Sequence, residues 1–228
     1  MTEKNGILKK VKRKYIIMKI FENLKQNRLL DIIHYNKNYQ KLMNKKIFDY
    51  QKAFSKIVIE IIPKEIVYGI FINNIYCKSI KSNVKIYFND DKKEIKRKFI
   101  TKKDNVKKIR IIINHKIRTL FRFFSHCECI KKISFITFNK DDIGNMSYMF
   151  KGCSNLEEIN FDKFNTNNVY SMDSMFDDYS SLKEFNLSNF NTSKVEYMYN
   201  MFKGCSSLVS LIFTNDLIKN VFLNILNK

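Results

Sequence analysis

The sequence predicts an α+β protein, ordered as a helical head, a small β unit, and a solenoid of stacked repeats with a parallel sheet, short helical or 3₁₀ turns and a C-terminal capping helix. Three observations carry this expectation. A phrase recurs at a constant offset of 26 residues, beginning at Met149-Phe150, Met175-Phe176 and Met201-Phe202 and closing on Leu156, Leu182 and Leu208. Apolar residues before position 55 recur at helical spacing, and from Lys56 onward they alternate with period two. Self-similarity at such a period belongs to units too small to bury their own apolar faces, which stack on their neighbours. One Pro and five Gly leave no flexible linker to mark a boundary, so the divisions at 1–55, 56–104 and 105–228 rest on these changes of pattern.

The head is read from two apolar stripes, Ile16, Ile17, Ile20, Phe21 and Leu24, then Leu29, Leu30, Ile32 and Ile33, separated by the polar run 25–28. In the β unit, Ile57, Ile59 and Ile61 alternate with Val58, Glu60 and Ile62. Val84, Ile86 and Phe88 face Ile95, Arg97 and Phe99 across the polar turn 89–93, as in a hairpin. Such a hairpin would cover the first edge of a repeat sheet, an otherwise open pairing site.

Within the repeats, triplets at spacing 3 and 2 recur as Ile130/Ile133/Phe135, Leu156/Ile159/Phe161, Leu182/Phe185/Leu187 and Leu208/Leu211/Phe213, with Val106/Ile109/Ile111 as a founding member. The return segments Ile143/Met146/Met149/Phe150, Val169/Met172/Met175/Phe176 and Val195/Met198/Met201/Phe202 direct one face inward. This places Met149, Phe150, Cys153, Leu156, Met175, Phe176, Leu182, Met201, Phe202, Cys205 and Leu208 in the repeat core. Beyond Phe213, Leu217, Ile218, Val221, Phe222 and Ile225 form a helical stripe fit to cap the last unit, with Asp216 as its N-cap.

In residue type, phase and period, the segment 117–213 resembles the BspA-type leucine-rich-repeat family, with Tyr179 standing where its neighbours carry Cys153 and Cys205. The resemblance implies a leucine-rich-repeat solenoid used as an interaction surface, either within cells or, in exported members, in adhesion. The head, through Ile16, Ile17, Ile20, Phe21, Leu24, Leu29, Leu30 and Ile33, is similar in pattern to an F-box, which implies docking to a ubiquitin-ligase adaptor while the repeats recruit a substrate. A plain helical cap is the alternative reading of the same residues.

The formal charge of +20 is unevenly distributed: residues 1–140 hold 35 Lys/Arg against 11 Asp/Glu (+24), and residues 141–228 hold 7 against 11 (−4). Only six of the 42 basic residues are Arg, the type that phosphate and base recognition favours. Abundant Lys, Asn, Ile, Phe and Tyr also follow from A/T-rich codons. Nucleic-acid or anionic-surface binding through residues 1–140 is therefore the alternative function and not the first. The first apolar stretch is broken by Lys19 and lacks a small-residue cleavage site, and no run reaches the length of a membrane span. The expectation is an intracellular, cytoplasmic chain. Five Cys, three of them at the repeat position or its degenerate equivalent, suggest buried thiols over a disulfide framework.

His126-Cys127-Glu128-Cys129 is the one cluster of soft ligands, and it lacks the second pair that zinc sites draw on. His34 and His115 have no nucleophile or carboxylate arrangement around them, and no phosphate-binding glycine loop occurs. No enzyme, cofactor or metal is expected. The expected function is a protein-interaction module whose partner-binding face lies between the core positions of successive strands: Lys107, Lys108 and Arg110; Lys131, Lys132 and Ser134; Glu157, Glu158 and Asn160; Lys183, Glu184 and Asn186; Val209, Ser210 and Ile212. This face grades from basic through acidic to neutral, which favours a protein or peptide of mixed charge over a polyanion.

Overall fold

A computed structural model describes residues 55–73, 83–114, 116–181 and 183–213. The chain divides into two compact units, Met1–Ser55 and Lys56–Lys228, and every strand described here belongs to the second. The strands are β1 (Ile57–Pro63), β2 (Gly69–Ile70), β3 (Val84–Phe88), β4 (Phe99–Ile100), β5 (Ile109–Ile113), β6 (Ile130–Phe138), β7 (Glu158–Asn160), β8 (Glu184–Asn186) and β9 (Ser210–Ile212).

The α+β solenoid expectation is corrected by this architecture. Every regular element named among the described residues is a strand, and the largest sheet is mixed, in the order β3-β5-β1-β6-β7. β1 lies antiparallel to β5 on one side and to β6 on the other, β3 is antiparallel to β5, and only β7 runs parallel to its neighbour β6. A second parallel pair, β8 with β9, forms its own two-stranded sheet, and β2 pairs with β4. The helical head over 1–54 and the capping helix over 216–226 lie outside the described residues.

The physical reason for the mixed sheet is β1. It is apolar at both parities: Ile57, Ile59 and Ile61 are fully buried on the core side, and Val58 on the other parity is 3% exposed. A strand so apolar belongs in a sheet interior. It takes the place beside β6 that a parallel founding strand would have filled. β5, built on the Ile109/Ile111 pair, is thereby one strand removed from the repeats, although it runs in the same direction as β6, since both are antiparallel to β1. The hairpin is also altered. Ile95 bridges Ile86, its N–H donating to the Ile86 carbonyl at 2.8 Å, but Phe99–Ile100 leaves β3 to pair with Gly69–Ile70. The Arg97 guanidinium lies over the Phe88 and Phe99 rings, 5.3 and 5.4 Å from their centroids, and grips Asp104 with both terminal nitrogens.

Opposite the strands, the return segments are tight turns stacked in register, not 3₁₀ or α-helical pieces. Every second residue of one turn donates its N–H to a carbonyl of the next. Leu120, Arg122, Phe124 and His126 donate to Asn145, Ser147, Met149 and Lys151; Met146, Tyr148, Phe150 and Gly152 donate to Ser171, Asp173, Met175 and Asp177; Met172, Ser174, Phe176 and Asp178 donate to Tyr197, Tyr199, Met201 and Lys203. These distances run from 2.7 to 3.1 Å. At the first turn, carbonyls that face away from the stack are met by Asn73, whose N–H donates to Phe123 at 2.9 Å and whose Nδ2 donates to Ser125 at 2.8 Å.

The turns require left-handed backbone at two recurring positions. Arg122, Tyr148, Ser174 and Asn200 occupy the first, and His126, Gly152, Asp178 and Gly204 the second, with Gly152 at φ 67° and Gly204 at φ 72°. Glycine there avoids the steric cost of a Cβ. Between strands and turns, Phe124, Phe150, Phe176 and Phe202 form a column of near-parallel rings with successive centroids 5.6 Å apart. All four are fully buried, each contributing about 1.5–3 kcal/mol by leaving water.

Candidate interaction surface

The register of the mixed sheet defines its outward face. Glu60 of β1 stands between Arg110 of β5 and Ser134 of β6, and the row extends to Tyr87 of β3 and Asn160 of β7. A second row joins Ile62, Lys132 and Glu158. Between Val58 and Ile59 the β1–β6 register shifts, skipping Ile136, which is 43% exposed; Ile62 is 38% exposed. Such a bulge re-aims a side chain out of the pleat. Arg110, Lys132, Ser134, Glu158 and Asn160 thus lie on one surface, but β1 intervenes between the β5 group and the rest. Sequence reasoning missed Glu60, Ile62, Tyr87 and Ile136. The lone carboxylate of Glu60 within Ile57–Pro63 was the available signal, because it marks the outward parity of that strand.

The basic residues of this surface are largely answered in place. Lys132 pairs with Glu158 at 2.7 Å, Lys131 approaches Glu157 at 4.0 Å, and Lys64 from beyond β1 also grips Glu157. The hydrogen bond from Lys64 holds the Glu157 carboxyl below its ordinary range. Lys108 pairs with Asp90 at 2.6 Å, a bond that raises its own pKa. Lys107 precedes β5, and its amide and that of Lys108 are both taken by the Asn89 carboxamide oxygen, at 2.7 and 3.2 Å. Exposed pairs of this kind add little stability, about 0–1 kcal/mol each. Their effect is to lower the free positive charge a polyanion would seek.

The remaining predicted face residues sit on the separate β8–β9 pair, where Glu184 opposes Ser210 and Asn186 opposes Ile212, with Lys183 just before β8. Asn186 turns back on its own loop, accepting from the Ser188 N–H at 3.0 Å and hydroxyl at 2.7 Å. Val209 and Ile212 are 81% and 55% exposed.

The repeat-core residues Met149, Phe150, Cys153, Leu156, Met175, Phe176, Met201 and Phe202 are fully buried, and Cys205 and Leu208 are partly buried against them. Leu182 lies outside the described residues. The thiols have defined partners: Cys153 donates to the Phe124 carbonyl at 2.9 Å and Cys205 to the Phe176 carbonyl at 3.0 Å. Tyr179, at the same position of the intervening copy, is fully buried with a hydroxyl that meets no partner. In the soft-ligand cluster, Cys127 and Cys129 are buried while His126 and Glu128 are exposed, so alternation parts them. Burial raises the Cys127 thiol and pushes Cys129 and Cys153 up to about 12, which holds them as neutral thiols. No group of three or more His, Cys, Asp or Glu suited to a metal ion occurs among the described residues. No helix among the described residues is long and apolar enough to cross a membrane.

Residues 118–222 match a family described as Mycoplasma protein of unknown function, DUF285. No curated protein and no solved structure matches the chain. The family match corrects the resemblance drawn from the repeat phrase: it falls on this family and not on the BspA-type leucine-rich repeats, and no F-box match accompanies it. The adaptor-docking residues Ile16, Ile17, Ile20, Phe21, Leu24, Leu29, Leu30 and Ile33 lie outside the described residues.

Proposed function

We propose that this chain is a non-enzymatic protein-interaction module that offers the outward face of its five-stranded sheet to a protein partner. The observation that supports the reading is the pairing of charges on that face. Lys132 is matched by Glu158, and Glu157 is shared between Lys64 and Lys131, which leaves the exposed side chains of Ile62 and Ile136 beside Glu60 and Arg110 as an amphipathic, near-neutral surface. Apolar groups rimmed by mixed charge suit a protein surface, whereas a polyanion is held by unpaired cations.

A photo-reactive amino acid at position 136 provides the test, with position 102, an exposed turn residue, as control. A discrete protein adduct formed at 136, absent at 102 and lost on Arg110→Glu is the expected result. A gel shift with single- and double-stranded nucleic acid is run in parallel. Tight binding that collapses with added salt would replace this reading with nucleic-acid binding through the basic residues 1–140.

A further inference from the structure

We propose a second recognition surface: the outer face of the last two stacked turns, where Tyr170, Tyr197 and Tyr199 with Asp173 and Glu196 bind a cationic segment of a partner protein. This surface is independent of the sheet-face reading. Hydrogen bonds between the two turns hold it together as one patch: the Tyr170 carbonyl accepts from the N–H groups of Glu196 at 2.8 Å and Tyr197 at 3.1 Å, and the Tyr199 N–H donates to the Asp173 side-chain Oδ1 at 2.8 Å.

The three rings are 46%, 46% and 71% exposed. One copy earlier their positions hold Gly144, Ser171 and Asp173, so the repeat core does not call for aromatic residues there. Gly144 also gives one ring its seat, since a Cβ built on it would lie 2.8 Å from Tyr170 Cε1. The platform is therefore supported from beneath.

Its charge is the second observation. In a chain of 42 Lys and Arg against 22 Asp and Glu, neither Asp173 nor Glu196 has a cationic partner among the described residues, so both carboxylates beside the rings keep their charge unanswered. A lysine or arginine side chain laid over a tyrosine face and closed by a carboxylate meets both features, and a phosphate backbone is repelled by the carboxylates. A neutral ligand would use the rings and ignore the charge.

The test is a fluorescence-anisotropy titration of the full chain with a fluorescein-labelled peptide of alternating arginine and glycine. Tyr197→Ala/Tyr199→Ala is expected to weaken binding about tenfold and Glu196→Gln about threefold, while Tyr197→Phe/Tyr199→Phe retains most of it. Circular dichroism confirms that these exposed substitutions leave the fold unchanged. Ile136→Asp should leave this titration unaltered, so that failure here and failure of the sheet-face reading are separable. The proposal is overturned if the alanine and glutamine variants bind as the unaltered chain does, or if the unaltered chain shows no binding tighter than about 1 mM. It is overturned equally if only the tyrosine variants weaken binding and a neutral oligosaccharide competes, which would give the face to an uncharged ligand.

Discussion

Replacing Tyr179 by phenylalanine should stabilise this protein. At the equivalent position of the neighbouring copies, Cys153 and Cys205 each donate to a phenylalanine carbonyl, but the longer Tyr179 side chain carries its hydroxyl past that point into a site with no partner. Its ring is held by Phe176 and Phe185, with centroids 6.3 and 5.7 Å away, and phenylalanine keeps both contacts. A buried hydroxyl without a hydrogen bond costs about 1–3 kcal/mol of desolvation, and the void left by one oxygen returns a few tenths. The net expectation is a gain of about 1 kcal/mol, read as a higher urea midpoint at unchanged m-value.

The same substitution carries an alkaline signature. Burial holds the Tyr179 phenol above its ordinary pKa, so above about pH 10 the unfolded chain loses a proton that the folded chain keeps. Stability then falls with rising pH by about 1.4 kcal/mol per unit from this group alone. The buried thiols contribute to the alkaline slope in both proteins, so the difference between the two slopes isolates Tyr179. A variant destabilised by more than about 0.5 kcal/mol at pH 7, or one with an unchanged alkaline slope, would refute the unpartnered hydroxyl.

Three further outcomes are expected. Gly152→Ala should destabilise by about 1–2 kcal/mol in urea unfolding, because φ is 67° there and a Cβ would run into the His126 imidazole; Asp178→Gly, at the matching position, should be tolerated. Asp104→Asn should cost about 1–2 kcal/mol near neutral pH, since Asp104 accepts from Arg97 and from both the amide and the hydroxyl of Thr101. The hydrogen bond from Arg97 depresses the Asp104 carboxyl, so its contribution is present above the unfolded value of about 4 and fades as pH falls below it, and the variant's acid unfolding profile should be flatter. Alkylation at pH 8, followed by mass spectrometry, should modify Cys205 before Cys153, because burial holds both thiols up at about 12 but only Cys205 is partly exposed; equal rates would contradict this packing.

The part of the fold legible in the sequence was the part written in spacing. The 26-residue offset placed Met149, Met175 and Met201 and the phenylalanines after them at equivalent points, and the structure buries all six. Pairing partners were not legible, because a strand's parity does not reveal its neighbour or its direction. Ile109 and Ile111 present the same inward face whether β5 runs parallel beside β6 or antiparallel beside β1. The interposition of β1 therefore left no trace in the repeat pattern. It was traceable only in β1 itself, whose Val58 and Ile62 break a clean apolar–polar alternation. For the candidate surface, parity picked out Arg110, Lys132, Ser134, Glu158 and Asn160, but which lysine meets which carboxylate depends on register. Nor did spacing distinguish turn from helix, since inward residues three and four apart satisfy either geometry until the left-handed positions at Tyr148 and Gly152 are known.

At each junction between stacked turns the same four N–H groups of one turn meet the same four carbonyls of the next. Units joined by interchangeable couplings can be removed from the middle without rebuilding either end. Were Asn145–Tyr170 excised, Leu120, Arg122, Phe124 and His126 would come to face the carbonyls of Ser171, Asp173, Met175 and Asp177, and β8 would arrive where β7 had stood beside β6. The length of this protein is in that sense a setting its architecture leaves open, and descent could adjust it one coupling at a time.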